Sequence, residues 1–260
     1  MKDEKTADNT TLDTELIERM FAAGAHFGYS KSRRHPSIAP FIFGAKNRVE
    51  IFNLEKTNTL LVSAKEYMQK LGSEKKKVLF VGGKNEARDT VRQGALSLDM
   101  PYVVGRWIGG TLTNFPEIQK RIERLKNLTE KREKGEFETK YTKKERLMLD
   151  REITDLTTHF GGLLTLSELP DALLVVDTKK EHTAVTEAKK RNIPVIGLLN
   201  SDSDLSDIIY PIVANDATQK SIAFFVGELV EAYTEGAKNQ ESLNSKAQLA
   251  TGQAGIKNQE

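Results

Sequence analysis

Three apolar runs, KVLFVG (77–82), DALLVVD (171–177) and IPVIGLLN (193–200), constrain this chain most. A strand with one face in water alternates apolar and polar residues, whereas an unbroken apolar run has both faces covered. Helical patterns separate such runs. NEARDTVRQGALSL (85–98) leads from the first to PYVVG (101–105), and KEHTAVTEAKKRN (180–192) joins the second to the third. A short strand, YPIVAND (210–216), precedes a last helix over 217–236, for which Asn215 or Asp216 offers an N-cap. Repeated βαβ units with buried strands predict an α/β fold, a mostly parallel, Rossmann-like sheet with helices on both faces.

Upstream, FIF (41–43) and RVEIFN (48–53) are short strand candidates around a Gly44–Asn47 loop. Residues 54–71 read as a helix with Leu60, Leu61, Ala64, Met68 and Leu71 on one side, closed by Gly72.

Between 115 and 162 the βαβ rhythm stops. Pro116 suits a first helical turn, and Ile118, Ile122 and Leu125 form a narrow seam. Gly135 breaks the pattern, TKKE (142–145) is a capping box, and Leu149, Ile153, Leu156 and Phe160 form a second seam. Two narrow seams with a break predict an antiparallel coiled-coil hairpin inserted in the α/β domain and projecting as a stalk. Such a charged stalk is expected to bury little and to move relative to the sheet. The domain plan is therefore a disordered tail over 1–11, an α/β domain over 12–114 and 163–236, a hairpin over 115–162, and a disordered tail over 237–260. The tails carry too little apolar surface to offset the entropy of ordering.

The chain has no cysteine, which excludes disulfides and thiolate metal sites. No apolar run approaches the ~20 residues that span a bilayer, and the polar N-terminus lacks a secretory pattern, so a cytoplasmic protein with no membrane partner is expected. His26, His35, His159 and His182 form no close ligand pair, and neither cofactor nor metal is expected. One enzyme reading stands as the alternative, a nucleotide- or sugar-phosphate-binding α/β enzyme. VGGK (81–84) follows a strand and precedes a helix, so a phosphate could sit on the Gly82 and Gly83 amides, with Asp177 as a carboxylate. The motif lacks the fingerprint glycines, and a tight turn explains it as well. Glu181 fits a helix-start role near His182.

Net charge is only +2, but it is unevenly placed. From Gly24 to Lys56, Lys31, Arg33, Arg34, Lys46, Arg48 and Lys56 face only Glu50 and Glu55. The stretch 24–48 reads as irregular backbone stiffened by Pro36 and Pro40, a form suited to folded RNA. From Pro116 to Glu152, twelve Lys/Arg against nine Asp/Glu leave a modest +3.

GRWIGGTLTN (105–114) links the sheet to the stalk. Gly105 ends a strand, Gly109 and Gly110 free the backbone, and Asn114 is placed to cap the helix after it. Trp107, the only tryptophan, either packs under the stalk base or stacks on an RNA base, with Arg106 beside it facing phosphate.

Three ordered blocks, AGAHFGYS…PFIFGAKNRVEIFNLEKT, RWIGGTLTNF and LPDALLVVDTKKEHTAVTEAKKRNIPVIGLLNSDSD, resemble the bacterial form of small-subunit ribosomal protein two. The resemblance covers about 12–236, and in its last block Pro170, Leu173, Leu174, Asp177, Glu181, Glu187, Asn192 and Pro194 fall where that family places such residues. It departs at Tyr29, where the family commonly has histidine, and at Arg34-His35-Pro36, where it commonly has Trp-Asn-Pro. The resemblance implies a structural, non-catalytic part of the small ribosomal subunit. Its partners would be small-subunit ribosomal RNA and neighbouring small-subunit proteins, including protein one, which captures messenger RNA. RNA contact is expected at Lys31, Arg33, Arg34, Lys46, Arg48 and Arg106.

Overall fold

A computed structural model describes residues 14–256, with side chains through residue 240. The parallel sheet holds β4 (Val78–Val81), β5 (Tyr102–Val103), β6 (Ala172–Val176), β7 (Val195–Leu199) and β8 (Tyr210–Val213), in the order β5-β4-β6-β7-β8. Every residue of β4, β6 and β7 is buried, as their unbroken apolar runs demand.

Two-residue alternation sorts these strands between two cores. Val78, Phe80, Leu174, Ile196 and Leu198 face one side, with Leu61 and Met68 of α2 (Leu54–Ser73), Val91 of α3 (Asn85–Ser97) and Phe225 of α8 (Gln219–Ile256). Leu79, Val81, Leu173, Val175 and Leu199 face the other, with Val185 and Ala188 of α7 (His182–Lys190). Each large side chain buried adds roughly 1.5–3 kcal/mol.

The hairpin comprises α4 (Phe115–Glu133), a short α5 (Glu136–Lys140) and α6 (Lys143–Phe160). Gly135 turns left-handed at φ 69°, and the Thr142/Glu145 capping box starts α6. Arg124 Nε pairs with Glu152 at 3.0 Å across the two long helices. The expectation that the stalk buries little needs correction. Phe115, Ile118, Ile122, Leu125 and Leu128 are buried together with Phe137, Ile153 and Phe160, in one core that continues into the sheet.

Helices α2 and α8 make the most extensive contact in the fold. A Cβ at Gly72 would lie 2.1 Å from the Tyr233 carbonyl oxygen, and one at Gly236 would lie 2.0 Å from that of Gln69. Both glycines therefore serve the helix crossing. Neither stops a helix. The α2 terminus comes at Glu74, with Lys75 left-handed at φ 53°. α8 continues to Ile256, where a disordered tail from 237 was expected; its sequence past Gly236 contains no proline. The tail expected over 1–11 and residues 257–260 lie outside the described residues.

Ahead of the sheet come α1 (14–22) and an antiparallel sheet of β1 (Phe27–Ser30), β2 (Ile42–Lys46) and β3 (Val49–Phe52), ordered β1-β3-β2. The basic stretch read as irregular is thus partly regular. β1 escaped notice because Gly28 and Ser30 break its apolar alternation. The β2–β3 turn sits at Asn47 and Arg48, φ 52° and 67°, rather than over Gly44–Asn47. Pro36 and Pro40 lie in a 3-10 helix. Among the described residues, no helix is long and apolar enough to cross a membrane.

Candidate nucleic-acid interface

The antiparallel register creates a basic end. Ser30 pairs with Val49, and Lys46 pairs with the same Val49. Lys31 and Arg33, just past β1, therefore meet the turn that carries Lys46 and Arg48. All four are exposed, and among the described residues none is ion-paired. The Arg33 guanidinium lies 5.0 Å from the Tyr29 ring centre. Arg34 has a different partner, the Glu50 carboxylate at 3.2 Å. Glu50 is 1% exposed, so Arg34 neutralises a buried charge.

At the carboxyl ends of β4, β6 and β8 a second cluster pairs its own charges. Lys84 Nζ lies 3.2 Å from both Asp177 and Asp216, and 3.3 Å from the Tyr29 hydroxyl. Asn200 Nδ2 donates to Asp216 at 2.9 Å. Burial opposes charge on Lys84, yet the two aspartates outweigh it and hold the ammonium well above its ordinary range. Burial and the nearby Asp177 push Asp216 up to about 6. Asp216 thus faces inward and caps nothing; Asn215 accepts from Ala217 N–H at 2.9 Å, short of the α8 start.

The amides proposed for a phosphate are occupied. Gly82 N–H donates to the Val103 carbonyl at 2.9 Å, and Gly83 N–H to Glu181 Oε1 at 3.2 Å. Asp177 accepts the Lys180 N–H at 3.0 Å, a turn-stabilising role. Glu181 spends its carboxylate on Gly83 and does not cap α7, and burial pushes it up. The enzyme alternative therefore loses its phosphate cradle.

The sheet-to-stalk junction is held by α7. Glu187 accepts from Trp107 Nε1 at 3.2 Å, Gly110 N at 2.8 Å, Leu112 N at 3.0 Å and Thr113 N at 3.1 Å. Burial raises Glu187, but these hydrogen bonds from Gly110, Thr113, Leu112 and Trp107 prevail and hold it below the carboxylate range. One turn on, Arg191 Nε donates to the Leu112 carbonyl at 3.0 Å and another guanidinium nitrogen to that of Thr113. Trp107, 8% exposed, packs with Leu112 and Phe115 under the stalk. Gly110 needs its freedom at φ 93°. Asn114 occupies the N-cap position without a capping side-chain bond. Arg106 and Gly109 are exposed and line a cavity with Lys180 and Glu181.

Sequence reasoning missed Lys84, Arg191 and the use of Glu187. The four-residue spacing from Glu187 on α7 to Arg191 at its C-cap was an available signal. The histidines stay apart: His26 stacks on Phe21, His35 bonds Ser37, and His159 bonds its own helix.

An α/β body with Lys84 paired to Asp177 and Asp216 at its strand ends, carrying a helical arm and a basic sheet end, has the build of a structural protein. The sequence comparisons agree: residues 20–236 match the ribosomal protein S2 family. The chain is 42% identical over 217 residues to small ribosomal subunit protein uS2 of Pseudoalteromonas atlantica, covering 84% of this chain and 89% of that one. The chain belongs to the ribosomal protein S2 family, a structural, non-enzymatic component of the small ribosomal subunit.

Proposed function

We propose that this protein binds folded small-subunit ribosomal RNA through Lys31, Arg33, Lys46 and Arg48. The observation that carries the reading is the register that gathers four exposed cations, none ion-paired among the described residues, at one end of the antiparallel sheet. Phosphates of folded RNA attract such a cluster without needing base readout. Arg106 extends the contact at the arm junction, and Arg34 acts on RNA only through the fold it supports. The α/β body over 12–114 and 163–236 and the arm over 115–162 then act as one docking platform, which helps hold protein one near messenger RNA. That last role rests on the family resemblance.

The test is reconstitution of subunits lacking this protein with wild type or with Arg33→Glu/Arg48→Glu. Occupancy is measured by sedimentation, and protein one is scored on the same particles. Occupancy should fall at least tenfold, with protein one falling in parallel. Equal occupancy would remove RNA binding from this edge, and loss of this protein without loss of protein one would remove the docking role.

A further inference from the structure

The basic sheet end leaves a second cationic feature unexplained. A cavity of about 450 Å³ lies outside the carboxyl ends of β5, β4 and β6, lined by Arg88, Arg106, Trp107, Gly109, Lys180 and Glu181 among others. Its size falls within the ~300–1,000 Å³ range of small-ligand sites. The strand order reverses between β4 and β6, which is where doubly wound sheets bind ligands.

The lining is chemically two-ended. Arg88 and Arg106 are exposed at the mouth, and among the described residues neither is ion-paired. Lys180 Nζ lies beside them, donating to the Gly83 carbonyl at 3.2 Å. α7 begins there with no side-chain cap, so its first amides are open near Thr183. On the floor, Glu181 is 5% exposed and binds Gly83 N–H through one oxygen, leaving acceptor capacity. Cations at the mouth fit a phosphate. A buried carboxylate below them fits a hydroxyl or N–H donor, and repels a bare anion entering deeper.

We infer that this cavity receives one phosphorylated nucleoside, its phosphate held by Arg88, Arg106 and the open α7 amides and its sugar or base donating to Glu181. An unpaired nucleotide of RNA and a free nucleotide share this chemistry. The inference rests on the RNA-binding reading for the first source only.

Full-length wild type, Arg88→Ala/Arg106→Ala and Gly109→Phe are compared. A Cβ at Gly109 meets no atom within 4 Å, so the phenylalanine can enter the cavity without changing charge. One arm follows emission of Trp107, the chain's only tryptophan, during titration with adenosine 5′-monophosphate, with inorganic phosphate as control. The other arm probes base reactivity of small-subunit RNA bound to each protein. A saturable emission change in wild type, weakened at least tenfold in both variants, assigns the site to free nucleotide. Protection of an unpaired nucleotide that both variants lose, while the rest of the footprint stays, assigns it to RNA. If no protein responds to the monophosphate and all three give the same footprint and affinity, the inference is overturned. If wild type protects no RNA at all, the RNA-binding reading fails, and the monophosphate arm alone decides the cavity.

Discussion

The indole N–H of Trp107 donates to the Glu187 carboxylate at 3.2 Å, tying the base of the arm to helix α7. The same carboxylate takes three backbone N–H groups of the junction. One acid thereby sets the conformation from which the arm departs.

Glu187→Gln replaces an acceptor oxygen with a donor facing donors. It should lower stability by about 2–4 kcal/mol in urea unfolding at neutral pH. The folded pKa of Glu187 lies below its ordinary 4.5, so its contribution is full above that value and is lost as pH falls through the folded value. The gap between wild type and variant should therefore shrink in acid. A constant gap would refute the charge-based account.

Lys84→Ala leaves Asp177 and Asp216 facing each other without their cation. A loss of about 3–5 kcal/mol is expected at pH 7. Asp216 is already raised to about 6 and rises further without Lys84, so protonation should restore part of the stability at pH 5. Denaturation midpoints at the two pH values check this.

Arg34 and Arg33 are neighbours with opposite roles. Arg34→Ala strands buried Glu50, one of whose oxygens already lacks a partner, and should cost about 3–5 kcal/mol. Arg33→Ala should change stability by less than about 0.5 kcal/mol. Thermal unfolding of the two variants separates the roles directly.

Removing both Arg33 and Arg48 as alanines should lower the steepness of RNA affinity against salt. Two lost phosphate contacts correspond to a slope smaller by about 1.5–2 in log–log form. Filter binding across a salt series measures it. An unchanged slope would mean that these side chains do not touch phosphate.

Gly72→Ala places a methyl group against the Tyr233 carbonyl oxygen, where an ideal Cβ would stand only 2.1 Å away. The helices must separate, at a cost of about 1–3 kcal/mol. Gly44→Ala, whose Cβ meets nothing within 4 Å, should show no comparable packing penalty in the same melts.

The parallel sheet and the arm were legible in the sequence because each rests on local periodicity. Unbroken apolar runs mean strands covered on both faces, and the seam from Ile118 to Phe160, with the Thr142/Glu145 box, means paired helices. The basic bias of 24–56 was legible too, since charge needs no fold to be counted. Tertiary structure alone decided which charges are free. Arg34 and Arg33 look alike in sequence, but β3 places Glu50 under one and Tyr29 lies under the other. Gly72 and Gly236 look like helix stops until two helices cross at them. Lys84, Asp177 and Asp216 lie on three separate connections and meet only because three parallel strands end at one edge. Hydrophobic period is written within a dozen residues, whereas a charge's partner can stand more than a hundred residues away, brought there by the packing of the whole chain.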